Sequence, residues 1–144
     1  MKTNFFAAVG LMALAFTPSM WAMDMNQEED TRQSLGIKGT MKGEHQLSNM
    51  REHLTALSEI VGRMNNNKYD EASKIAQEKL GLTVRMNSMC GDFQNKSFET
   101  MGVAFHKSAD NLAQTLKTKD SKKSMAALEK VMNGCVLCHS TFKQ

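Results

Sequence analysis

Proline, glycine and cysteine are scarce in this chain of 144 residues, which has one proline, nine glycines and three cysteines. That scarcity excludes collagen-like, low-complexity and disulfide-scaffold classes. Charge of one sign is also lacking: 18 basic side chains stand against 15 acidic ones, a formal charge of +3. A nucleic-acid partner would want a strongly basic face, so none is expected. No stretch alternates apolar and polar residues with a period of two, and no Asn-Gly or Asp-Gly hairpin turn occurs. No repeat of solenoid length is visible. Neither a phosphate-binding glycine loop nor a Ser/His/Asp arrangement can be read, and no enzymatic activity is expected.

What is present begins with an export signal. Met1 to Asn4 carry one lysine, Phe5 to Phe16 are apolar without a charge, and Thr17, Pro18 and Ser19 lead into Trp21 and Ala22. A basic start, a short apolar middle and a small residue at the cut describe a secretory signal peptide over residues 1–22. The apolar run is shorter than the roughly 20 residues that span a bilayer, so no stable membrane anchor is expected after cleavage. Cleavage removes Pro18, the only proline, and leaves a chain in which no segment is barred from a helix. Export to the periplasm puts the three cysteines in an oxidising compartment, where an odd number leaves at least one without an intramolecular partner.

Residues 23–39 are polar, without a periodic apolar face, and are expected to form a flexible arm. The domain proper spans 40–144. Its first apolar stripe is Met50, His53/Leu54, Leu57, Ile60/Val61 and Met64, the three-to-four spacing of one helix face. Met41, His45 and Leu47 extend that helix backwards, whereas Asn49 with Glu52 resembles a capping box and would start it late. A second segment opens near Asp70, with Tyr69, Ala72, Ile75/Ala76 and Leu80 on one side; Gly81 either stops or interrupts it, and Val84, Met86 and Met89 continue weakly to Gly91. Third comes Phe98, Met101/Gly102, Phe105, Ala109, Leu112/Ala113 and Leu116. Asp120 or Ser121 then caps a fourth stripe of Met125, Leu128, Val131/Met132, Cys135, Cys138/His139 and Phe142. Four amphipathic helices with short connections predict an all-α fold, an antiparallel four-helix bundle whose site is built from facing helices.

The last ten residues open with Cys135-Val136-Leu137-Cys138-His139, the Cys-x-x-Cys-His attachment signature of a c-type haem. Two thiols add to the two porphyrin vinyl groups, and the adjacent imidazole reaches the iron. On a helix these positions are i, i+3 and i+4, so all three project from one face. A zinc site would need a second Cys/His pair at short spacing, which the chain lacks. A thioredoxin-like pair sits near a βαβ pattern, which is absent. Copper held by methionines and histidines is chemically admissible, but the methionines follow helical core spacing rather than clustering.

This C-terminal CVLCHSTFK, closing an exported four-helix bundle, resembles the cytochrome c′ family and its low-spin relatives; MREHLTALSEI and KYDEASKIA resemble the first two helices of a methionine-containing branch. The resemblance implies one haem c per chain, with Cys135 and Cys138 as covalent anchors, His139 as proximal iron ligand, and Lys143 close to the haem. It also implies that homodimers are common and that partners are periplasmic redox proteins. The family has two styles: a vacant sixth iron position behind an apolar side chain, which binds nitric oxide or carbon monoxide, or a methionine from the first helix, which makes an electron carrier. By register, Met50 is the expected distal ligand here and His53, about one turn away, its alternative; His45 and Met41 are weaker. His106 is expected at the surface of the third helix, Phe98, Phe105 and Phe142 in the core, and Cys90 as a buried small hydrophobe. The lysines at 117, 119, 122 and 123 are expected to form a solvated corner.

Overall fold

Thr40 sets the start of the first helix. Its hydroxyl oxygen accepts from Gly43 N at 3.1 Å and donates to Ile37 O at 2.7 Å, so α1 runs Met41–Asn65. The capping-box signal at Asn49 is therefore a decoy: Asn49 lies mid-helix and buried. The computed structural model describes residues 29–144, so the expected signal peptide lies outside the described residues. Thr31–Gln144 folds as one unit.

After the turn at 66–68 comes α2, Tyr69–Ile75, which continues as a π-helical turn over Ala76–Leu80 and ends at Gly81. Thr83 caps a separate short helix, α3 (Val84–Gly91), by accepting from Met86 N at 3.1 Å. Asn95 caps α4 (Lys96–Leu116), and Asp120 caps α5 (Ser121–Thr141) by accepting from Lys123 N at 3.0 Å. Each cap satisfies one N–H of the first turn that has no partner within its helix. Two short strands complete the order: β1 (Gln33–Ser34) lies parallel to β2 (Phe142–Lys143). The all-α expectation holds, with a fifth, short helix where the weak continuation of the second segment ran. No described helix is long and apolar enough to cross a membrane.

The core occupies one end of this bundle. Ile60 of α1, Leu80, Leu112 and Leu116 of α4, and Val131 of α5 are fully buried. Ala72, Ala76, Ala109 and Ala113, all without exposed surface, let α2 and α4 approach closely. Burying each large aliphatic side chain contributes about 1.5–3 kcal/mol. Ser73, also buried, donates to Ala113 O at 2.8 Å and so costs nothing unpaid. These residues come from the C-terminal half of α1, from α2, and from the facing halves of α4 and α5.

At the other end the packing changes. α5 packs along α4, α4 along α2 and α3, and α1 along α2, whereas α1 and α5 are not among the closely packed pairs. Along the whole length, not every stripe residue turns inward: Leu54 and Val61 on α1, and Met125 and Met132 on α5, stay about half exposed or more.

Candidate functional site

The space between α1 and α5 is a cavity of about 740 Å³, within the roughly 300–1,000 Å³ of small-molecule sites. α1 contributes Met50, His53 and Leu57 to its wall, and α5 contributes Cys135, Cys138 and His139. Phe98, Phe105 and His106 line it from α4; Met86, Met89 and Cys90 line it from α3. The residues singled out in sequence as haem anchors and iron ligands therefore converge on one hollow. Met41 and His45 do not line it, and Met41 is almost fully exposed.

The three positions of the C-terminal motif differ in their surroundings. Cys135 and Cys138 are half-buried and unpaired, and the Cys135 thiol donates weakly to Val131 O at 3.7 Å. Burial pushes both thiols up from their ordinary range; for Cys138, Cys135 and Cys90 push in the same direction. A redox-active Cys-x-x-Cys pair depends on a lowered thiol pKa, so these cysteines are poorly placed for disulfide exchange. His139 is exposed and borders the cavity at its solvent edge, with its carbonyl accepting from Arg32 Nη1 at 3.2 Å.

Cys90 is buried, as expected, but its place on the wall was not legible from its sequence neighbours. Its Sγ lies 2.6 Å from where a Cβ on residue 102 would stand, so α3 fits against α4 there because that residue is glycine. Methionines cluster at this hollow end: Met50, Met86, Met89, Met101 and Met132 all touch the cavity. Long, polarizable and rotatable, such side chains adapt to an irregular guest.

Two imidazoles stand together on the wall. His53 and His106 have ring centroids 5.6 Å apart in an edge-on arrangement, and the Phe105 ring lies 5.3 Å from His53. His106 is buried rather than exposed, which corrects the sequence expectation. The reason is the end of the π-helical turn, where Leu80 O accepts from His106 Nδ1 at 2.7 Å and satisfies an otherwise costly buried donor. His53 is 7% exposed and its Nε2 has no hydrogen-bond partner.

Burial, with His106 as the smaller cause, lowers the His53 pKa to about 4, and burial lowers His106 as well. Both are neutral in the folded chain at pH 7. As pH falls below 6.5 the unfolded chain takes up protons that the folded one refuses, so stability rises with pH across this window. The urea midpoint is expected to fall between pH 6.5 and 4. His53→Phe is expected to flatten much of that slope, as equilibrium unfolding at a series of pH values will show.

Among the described residues, the charged side chains on the cavity wall include Arg32, Arg51 and Lys143, and no aspartate or glutamate lines it. An apolar hollow edged by cations suits a guest with an apolar body and anionic substituents. A porphyrin with two carboxylates has that character, and the two thiols and His139 are the donor set its covalent attachment requires. The residues present thus fit a haem. No group of three or more His, Cys, Asp or Glu side chains among the described residues is placed to hold a bare metal ion. No protein-family model, no curated protein and no solved structure matches this chain.

Proposed function

We propose that this protein is a periplasmic monohaem c-type cytochrome that carries single electrons between partner proteins and catalyses no reaction of its own. The observation that carries the reading is the meeting of Cys135, Cys138 and His139 with Met50 on the wall of one apolar cavity. Cys135 and Cys138 hold the haem c through thioether links, His139 is the proximal ligand, and Met50 supplies the sixth ligand from α1. When bound, the haem supplies a one-electron couple at its iron.

The chain's own contribution is environment. A thioether is a soft donor that favours reduced iron and raises the potential. The phenylalanines and methionines of the wall exclude water, which limits the rearrangement that accompanies a change of charge. His53 gives a second reading of the sixth position, favoured by its buried and partnerless Nε2. A neutral imidazole is a competent iron ligand.

Absorption spectra of the oxidised, reduced and carbon-monoxide-treated protein, purified after export with haem-attachment machinery present, test the proposal. A low-spin spectrum in both redox states and little carbon monoxide binding are expected. Rapid stoichiometric carbon monoxide binding would instead identify a vacant sixth position and a protein that captures nitric oxide or carbon monoxide. A colourless protein would sink the haem reading altogether.

A further inference from the structure

His53 holds an imidazole nitrogen away from water without giving it a partner: the residue is 7% exposed and its Nε2 makes no hydrogen bond. Such an atom costs free energy unless something outside the chain satisfies it. The neighbouring ring is His106, its centroid 5.6 Å away and its plane turned by 82°. Leu80 O can only accept, so the 2.7 Å contact puts the His106 proton on Nδ1 and leaves a bare lone pair on Nε2. An imidazole that ligates a metal almost always donates its other N–H in this way, often to a backbone carbonyl.

The spacing suits a shared ion. With metal–nitrogen bonds of about 2.0 Å and about 1.2 Å from nitrogen to ring centre, centroids 5.6 Å apart correspond to an angle of about 120° at the metal. That is a three-coordinate angle, with one more donor to be supplied. Met50 precedes His53 by three residues on the same face of α1 and lines the same cavity. Along the sequence the methionines follow core spacing, yet folding gathers five of them at this end. No carboxylate lines the cavity, which disfavours magnesium and calcium. Thioether and imidazole together suit cuprous copper.

We propose that the chain without its haem binds one cuprous ion through His53, His106 and the Met50 thioether. Both imidazoles are neutral at pH 7, so protons do not compete for these lone pairs. The inference does not rest on the haem reading, since it concerns the hollow before any porphyrin fills it and uses neither the thiols nor His139.

Thiols bind cuprous ions on their own account, so the test uses the full chain carrying C90A, C135A and C138A. Cuprous ion alone is titrated into it anaerobically against a chromogenic cuprous chelator. One ion per chain is expected, with two nitrogen neighbours and one sulfur neighbour in its X-ray absorption. H53L and H106F should each weaken binding at least about tenfold, and M50L about threefold or more. H53L also removes a buried nitrogen without a partner, so its loss of binding cannot be put down to a failure to fold. No uptake by the folded parent, or an affinity unchanged in H53L, overturns the proposal. A shell of sulfur alone overturns it too, because the methionines by themselves would then be the site. An unchanged M50L strikes out the thioether. A native protein that never acquires the mass of a porphyrin overturns the redox reading and leaves this one standing.

Discussion

Replacing Cys135 and Cys138 together with alanine is expected to abolish covalent haem attachment completely, while Cys90→Ala leaves it intact. All three thiols face the same cavity, so proximity alone does not separate them. Spacing does. Positions 135 and 138 lie on one face of α5, directly beside His139, and a single porphyrin presents two vinyl groups next to one axial position. Cys90 comes from α3 and has no adjacent imidazole. The measurement is the intact mass after extraction with acid and organic solvent, which strips a haem held only by coordination and leaves one held by thioether links. Each single variant should keep one link and a reduced yield. If C135A/C138A retained the full added mass, the attachment site would be misassigned.

Met50→Ala is expected to convert low-spin iron into a five-coordinate or water-bound form, to open the protein to carbon monoxide and to lower its potential. The sign follows from ligand softness, since loss of a thioether removes a donor that stabilises reduced iron. The fold should tolerate the change. Met50 is half-buried against a hollow rather than locked in the core, so its truncation should cost no more than about 2 kcal/mol, the lower end of the range for buried methionine. His53→Leu separates the two candidate donors. With Met50 bound, H53L leaves the spectrum unchanged and stabilises the chain, because it removes a buried nitrogen without a partner, a defect worth about 1–3 kcal/mol. A low-spin spectrum that survives M50A and collapses in H53L would transfer the sixth ligand to His53.

The helices were legible because their apolar spacing is strong, and the motif was legible because its three residues share a helix face. What the spacing could not convey is whether a stripe meets another helix or borders a hole. On α1 one pattern runs unbroken from Met50 to Met64, yet Ile60 and Met64 lie in the core while Met50 and Leu57 line the cavity. On α5, Val131 is core and Cys135, four residues later, is wall. Hydrophobic periodicity records which side avoids water and not what replaces the water.

Local signals misled for a related reason. Asn49 and Glu52 have the spacing of a cap but lie within a helix already begun at Thr40, whose single hydroxyl makes the true cap. His106 sits between stripe residues Phe105 and Ala109 and would face solvent on an isolated helix. Its burial depends on Leu80 O, 26 residues away in sequence, which no local pattern announces.

The unpaired flanks of α1 and α5 carry one last implication, for the chain's life before loading. An ordinary bundle closes every seam with its own side chains, so its stability is complete when synthesis ends. On the haem reading one seam would be closed by a guest that the gene does not encode, and before it arrives the methionines of that wall stand partly exposed to water. An unloaded molecule therefore differs from a loaded one in the surface it shows to proteases and to other chains. Such a difference would allow a cell to discard unfinished copies without inspecting the iron.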